Sequence, residues 1–241
     1  MEFTFGIITD GKNDNFLNII IDSIIENNIP IYEIIIVGNT KIDNNSIKII
    51  NFDESIKRGW ITKKKNIITS NAKYDNIVFL HDYIKLNKDW YQGFLKFGND
   101  YEFCVSKIIN ANGSRFRDFT LFPYCVDYLN INYSPGKEID TYFDSYCLLP
   151  YDFINNEKVN KYMYISGAYY IIKRDVSRRF LLDENLVHCQ GEDVELSKRL
   201  HKNGIIIKCN KYATVSFLKY KEPAPWEKEI SETYIRKLYT L

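Results

Sequence analysis

Tyr74-Asp75-Asn76-Ile77-Val78-Phe79-Leu80-His81-Asp82-Tyr83 decides how this chain is read. Four apolar residues bounded by polar ones have the pattern of a buried strand, and this strand ends on a histidine and an aspartate. In open α/β sheets ligands bind beyond the carboxyl ends of the strands. His81 and Asp82 are therefore a candidate metal and ligand pair by position as well as by chemistry.

Outward from that strand, the pattern alternates between the two main periods. Phe3 to Thr9 predicts a first strand, emptying into the turn-rich Thr9-Asp10-Gly11-Lys12-Asn13-Asp14. Phe16, Leu17, Ile20, Ile21, Ile24 and Ile25 then recur at helical spacing until Asn27-Asn28 and Pro30 stop them. Glu33 to Gly38 and Ile47 to Phe52 read as further strands, completing a βαβ unit. Gly59 to Asn71 predicts a helix carrying Lys63, Lys64 and Lys65; beyond the opening stretch come a helix over Leu86–Phe97 and a strand over Phe103–Ile109.

Between Asn110 and Lys161 the periodicity dissolves. Gly113, Pro123, Pro135, Gly136 and Pro150 punctuate a segment rich in aromatics: Tyr124, Tyr128, Tyr133, Tyr142, Phe143, Tyr146 and Tyr151. Such a segment is either a binding loop, whose rings could stack on sugar faces, or a satellite core under a long loop. Order returns with Tyr164–Lys173, a strand interrupted at Ser166-Gly167-Ala168, and a helix from about Asp175 to Leu182. Gly191-Glu192-Asp193-Val194-Glu195 opens a helix that Gly204 closes, and two acids at a helix start are also what capping and the macrodipole favour. Ile205–Cys209 and Ala213–Phe217 predict the last strands and Trp226–Tyr239 a C-terminal helix. No repeat or linker divides the chain, so one α/β domain is expected.

The bulk numbers exclude several function classes. Thirty-two Lys and Arg against 31 Asp and Glu leave a formal charge of +1, with no footprint for nucleic acid or an anionic membrane. Five cysteines, odd in number and scattered, form neither a zinc nor a disulfide framework, which fits a reducing, cytoplasmic setting. The N-terminal stretch lacks the features of a signal peptide, and no apolar run approaches the ~20 residues of a membrane span. Peripheral membrane contact stays open.

Four segments in order resemble family 2 glycosyltransferases of GT-A fold, over most of the chain from Phe3 to about Phe217. The Thr9-Asp10 strand end and Glu33-Ile34-Ile35-Ile36-Val37 look like the opening strands that flank the nucleotide. Ile77 to Ile84 is similar to the strand and D-x-D-type motif that holds nucleotide and metal. Gly167-Ala168-Tyr169-Tyr170 looks like the Gly-Ala strand beneath the acceptor. Asp183-Glu184 followed by Gly191-Glu192-Asp193-Val194-Glu195-Leu196 resembles the segment whose second acid is the catalytic base. Val105 to Arg115 is similar to a segment of capsule and lipopolysaccharide enzymes.

The resemblance implies a GT-A-type, Rossmann-like mixed sheet flanked by helices. Residues 1–109 would form the nucleotide-sugar half, 110–217 the acceptor and catalytic half, and 218–241 the C-terminal helix. It implies an inverting transferase that moves a sugar from a nucleotide-diphosphate sugar to a hydroxyl of a glycan, glycolipid or glycoprotein, as in polysaccharide biosynthesis. Asp193 is then the base, supported by Glu192; Thr9, Asp10 and Glu33 border the nucleotide; Lys65, from the basic run, lies near the diphosphate; and Asp82, His81 and His188 hold Mn²⁺ or Mg²⁺. As a charge run, the three lysines also read as a solvated helix face.

The chemistry asks for the same parts: a base for the acceptor proton and positive charge for the leaving diphosphate. A divalent ion supplies that charge with one or two protein ligands, the rest coming from phosphate and water. The chain departs from the pattern in three places. His81-Asp82-Tyr83 lacks both outer carboxylates, Gly38 stands where an acid usually follows the second strand, and the histidine common near Ala213–Phe217 is absent. Two other classes compete: a sugar nucleotidyltransferase, for which Thr9-Asp10-Gly11-Lys12 is a poor loop, and a catalytically degenerate GT-A-fold glycan-binding or assembly module.

Overall fold

A computed structural model of the protein describes residues 1–121, 140–143, 146–148 and 151–221. The chain begins with β1 (Phe3–Ile8), α1 (Asp14–Glu26), β2 (Tyr32–Val37), β3 (Ile47–Ile50), α2 (Ile61–Asn71) and β4 (Asn76–His81). A turn at Asp82-Tyr83 leads into β5 (Ile84–Leu86), α3 (Trp90–Phe97) and β6 (Phe103–Ile109). Short elements follow: β7 (Phe119–Thr120), β8 (Asp140–Phe143), β9 (Tyr146–Leu148), a 3₁₀ turn at Tyr151–Asn155 and α4 (Glu157–Asn160). The last described elements are β10 (Tyr164–Ile165), β11 (Tyr169–Lys173), α5 (Arg174–Arg179), α6 (Glu192–Lys202) and β12 (Ile207–Phe217).

Eight strands form one sheet in the order β3-β2-β1-β4-β11-β6-β12-β5. β1 to β4 are mutually parallel, β11 runs antiparallel to both β4 and β6, β12 is parallel to β6, and β5 returns antiparallel to β12. These directions bring the carboxyl ends of β1, β2, β4, β6 and β12 to one edge, together with the amino ends of β11 and β5. Helices cover both faces of this mixed α/β sheet, and the domain is single, as the sequence leads one to expect.

Alternation along β1 shows why the helices sit where they do. Phe3, Phe5 and Ile7 point into the core shared with Leu17, Ile20 and Ile24 of α1 and Trp90 and Phe94 of α3. Ile8 faces the other core, with Ile61 and Ile68 of α2. Between them Gly6 lets α2 press against the sheet, since a Cβ there would stand 2.4 Å from Ile68 Cγ2. Any larger residue would lift α2, and α2 carries the three lysines.

Boundaries differ where local pattern and tertiary pairing compete. The helix expected within Leu86–Phe97 from near Asn87 begins at Trp90, after Ile84 and Leu86 alternate inward as β5 against Phe217 and Val215. The two expected final strands are one, β12, bent by an irregularity between Asn210 and Thr214, where Asn210 Oδ1 accepts the Tyr212 N–H. Within Asn110–Lys161 the described part is a series of short elements, with Tyr151 packed into the core. The expected C-terminal helix and Tyr124, Tyr128 and Tyr133 lie outside the described residues. No helix among those described is long and apolar enough to cross a membrane.

Candidate active site

The shared sheet edge holds two recesses that meet. A cleft of about 790 Å³ is lined by Thr9, Asp10 and Asn13 after β1, by Glu54, Arg58 and Lys64, and by His81-Asp82-Tyr83 at the carboxyl end of β4. A narrower recess of about 70 Å³ is lined by Arg117, Ser166-Gly167-Ala168, Cys189, Glu192 and Asp193. His81, Tyr83, His188 and Lys221 line both. The first strands thus open onto the same space as the start of α6.

In the larger cleft Asp82 acts as a clasp. Its Oδ2 accepts hydrogen bonds from Thr9 Oγ1 at 2.8 Å and Asn13 Nδ2 at 3.1 Å, fastening the β1–α1 loop to the end of β4. Thr9 contributes its carbonyl as well, accepting from Lys64 Nζ at 2.7 Å, and Lys64 is also ion-paired with Glu54. Asp10 is more exposed and pairs with Lys12 at 2.7 Å. His81 is held by burial and by the positive charges of Lys65 and its neighbours well below the usual imidazole range, so it is neutral. Its Nδ1 meets the Tyr83 hydroxyl at 3.3 Å, and its buried Nε2 has no hydrogen-bond partner.

The narrower recess is organised by the break between β10 and β11. Gly191 at φ +72° starts α6, and the first turn presents Glu192 and Asp193, both nearly buried. Asp193 Oδ2 accepts the Gly167 N–H at 2.8 Å and Oδ1 accepts the Val194 N–H at 2.9 Å. Each carboxylate oxygen keeps lone-pair capacity beyond these bonds. Gly167 is required by space, since a Cβ would lie 2.5 Å from Glu192 Oε1 and 3.2 Å from Asp193 Cβ. Lys65 lies behind them: its Nζ donates to the Gly167 carbonyl at 2.7 Å and stands 4.0 Å from Glu192 Oε1.

Burial, and then the adjacent Asp193, push the Glu192 carboxyl up to about 7. Burial pushes the Lys65 ammonium down, while the two carboxylates pull it back up. The folded chain therefore holds a Glu192 proton between the ordinary value of 4.5 and about 7 that the unfolded chain has lost. This contribution to stability is full below the lower value and lost as pH rises through the upper one. Glu192→Gln cannot titrate, so between pH 5 and pH 8 it should remove on the order of 2 kcal/mol of pH-dependent stability loss. Urea unfolding at the two pH values checks this; equal pH sensitivity in both proteins would refute the assignment.

Of the residues singled out from sequence, the structure brings Thr9, Asp10, His81, Asp82, His188, Glu192 and Asp193 to this edge. Two do not arrive. Glu33 is the second residue of β2, which runs parallel to β1, and so lies at the opposite edge; there it accepts from Thr4 Oγ1 and the Lys73 N–H, each at 2.6 Å. Lys65 is 1% exposed and committed to Gly167 and Glu192, so it cannot reach a diphosphate. Nor is the basic run a solvated face: Lys63 pairs with Glu184 at 3.0 Å, Lys64 holds the Thr9 loop, and Lys65 holds the Gly167 carbonyl.

The expected metal set fits poorly. Among the described residues no group of three His, Cys, Asp or Glu side chains could hold an ion. Asp82 Oδ2 is taken by Thr9 and Asn13, Tyr83 stands where a second carboxylate would be needed, and His188 sits at the rim with Nδ1 3.1 Å from Cys189 Sγ. The buried His81 Nε2 has no hydrogen-bond partner, but hard divalent ions favour oxygen.

The fold, a mixed eight-stranded sheet flanked by helices, is similar to that of solved structures of GT-A type. A structure of S. aureus TarS residues 1–349 superposes with TM-score 0.56 at 14% identity, over 90% of this chain and 60% of TarS 1–349. The same protein in complex with UDP-GlcNAc gives 0.58 at 13%, over 99% and 65%. GalNAc-T7 with UDP, GalNAc and Mn²⁺ gives 0.59 at 12%, over 92% and 45%. The chain thus spans between about half and two-thirds of these structures, and at such identities the likeness is one of fold. No protein-family model and no curated protein matches the chain.

Sequence reasoning missed Asn13, Lys64, Arg117, Lys219 and Lys221, all of which line the recesses. Lys219 and Lys221 follow the last described strand as Asn13 follows the first. The rule that places ligands beyond strand ends would have found them had it been applied to every strand.

Proposed function

We propose that the chain is an inverting glycosyltransferase that moves a sugar from a nucleotide-diphosphate sugar to a hydroxyl of a glycan, glycolipid or glycoprotein. The observation that carries this reading is the Gly167–Asp193 bond, which fixes a carboxylate in a recess opening directly onto the Asp82 cleft. The donor lies along Thr9, Asp10 and Asp82, with its anomeric carbon toward the junction at His81. The acceptor hydroxyl enters beside Asp193. In one in-line displacement the acceptor oxygen bonds to the anomeric carbon, the bond to the diphosphate oxygen breaks, and the hydroxyl proton passes to Asp193. Glu192, whose carboxyl is pushed up to about 7 by burial and by the adjacent Asp193, supports the base from the same helix turn. Likeness to glycosyltransferase folds that bind UDP or UDP-GlcNAc supports a nucleotide-sugar donor. The described cysteines Cys104, Cys189 and Cys209 are free thiols, which supports a cytoplasmic setting.

Incubation with UDP-, GDP-, ADP- and CDP-linked sugars and polysaccharide, glycolipid or glycoprotein acceptors tests the reading. Release of a nucleoside diphosphate is expected; release of pyrophosphate would instead make the chain a nucleotidyltransferase. Failure of all four nucleoside diphosphates to bind in calorimetry would sink the enzyme reading. For the nucleotide that binds, Asp82→Ala should weaken affinity about tenfold or more, because Thr9 and Asn13 lose the acceptor that orders their loop. The measurement is the dissociation constant by titration.

A further inference from the structure

We propose that Lys219 and Lys221 form the diphosphate clamp of the donor site, supplying by two ammonium groups the charge that a divalent ion would otherwise supply. The inference rests on the glycosyl-transfer reading and deepens it. Both lysines line the large cleft, and Lys221 also lines the narrower recess, at the junction where a leaving diphosphate must sit.

Their placement is fixed by the fold. The Leu218 N–H donates to the Tyr83 carbonyl at 2.8 Å, tying the segment after β12 to the turn after β4. Asn110, buried at the end of β6, clasps the Lys221 peptide from both sides: its Nδ2 donates to the Lys221 carbonyl at 2.7 Å, and its Oδ1 accepts the Lys221 N–H at 3.0 Å. The two ammonium groups then lie 4.9 and 5.2 Å from the centre of the Tyr83 ring. The aromatic residue that takes the place of a second carboxylate thus carries two cations.

The electrostatics of the cleft point to an anion. Lys12 and Lys64 are neutralised locally by Asp10 and Glu54, whereas neither Lys219 nor Lys221 has a carboxylate within ion-pair distance among the described residues. Burial, then the neighbouring Lys219, push the Lys221 ammonium below its ordinary range, a penalty that a bound anion relieves. A diphosphate has the charge to satisfy two adjacent ammonium groups at once. A divalent cation would meet their repulsion and find Asp82 Oδ2 already taken by Thr9 and Asn13.

The test uses the full chain and UDP, GDP, ADP and CDP with the matching monophosphates, titrated in EDTA and again with excess Mn²⁺. For the diphosphate that binds, the affinity should change less than about twofold between the two conditions. Lys219→Met/Lys221→Met should weaken it about thirtyfold or more while weakening the monophosphate far less, and the salt dependence of binding should fall. Lys219→Arg/Lys221→Arg should retain most of the affinity, and an unchanged melting temperature confirms that the Met pair still folds. Wild-type binding that collapses in EDTA overturns the clamp and leaves the transferase reading intact, as does a Met pair that binds the diphosphate normally. Absence of binding by any nucleotide overturns both.

Discussion

Asp193→Asn is expected to cut glycosyl transfer about 10³-fold, the usual size of a general-base contribution, with nucleotide affinity changed less than about twofold. The asparagine keeps one oxygen for one of the two N–H groups, Gly167 or Val194, that the carboxylate now satisfies. It cannot take the acceptor proton, and one N–H is left facing an amide donor. A small cost in stability, about 1 kcal/mol, should therefore accompany the catalytic loss. Single-turnover release of nucleoside diphosphate separates chemistry from binding, and calorimetry reads the binding. Near-wild-type turnover by the variant would remove Asp193 from the role of base.

Lys65→Met should cost about 3 kcal/mol of stability at pH 8 and distinctly less at pH 5. The substitution leaves the Gly167 carbonyl without its donor and Glu192 without its nearest cation, in a place where both are buried. Glu192 then protonates more readily, so its folded value climbs above the wild-type 7 and the penalty grows as pH rises past it. Denaturant midpoints at the two pH values measure the difference. Equal losses at both would mean that Lys65 acts through the Gly167 carbonyl and its ammonium's contact with the Tyr170 ring, and not through Glu192. Activity should fall as well, because Gly167 is the residue to which Asp193 is tied.

Much of the frame was legible because apolar runs report burial directly. Ile77–Leu80, Ile34–Val37 and Phe3–Ile8 read as strands and are strands, since a strand buried on both faces has little choice of composition. Gly191-Glu192-Asp193 was legible as a helix start, because acids favour the first turn, whereas its functional role came from the family resemblance and not from the pattern. What failed depends on direction. Glu33 was placed near the nucleotide by its strand, but only the polarity of β2 says which end of the strand meets the site. Lys63, Lys64 and Lys65 are one charge run in sequence, yet successive helical positions turn by about 100°, so three neighbours serve three different partners. Lys219 and Lys221 carry no periodic signal at all; their meaning comes from Tyr83 and Asn110, which are distant in sequence.

Two of those lysines have a consequence for how substrates could be exchanged over evolution. Lys64 grips the carbonyl of Thr9 and Lys65 the carbonyl of Gly167, so adjacent residues of one helix hold the loop that would seat the donor and the residue that would seat the proposed base. α2 works as a gauge block between these points, and Gly6 seats it flush on β1. On the proposed mechanism, the span between leaving group and base would be set by a helix and not by the loops around the cleft. Those loops can lengthen, shorten or change composition to admit a different acceptor while the reacting atoms keep their separation.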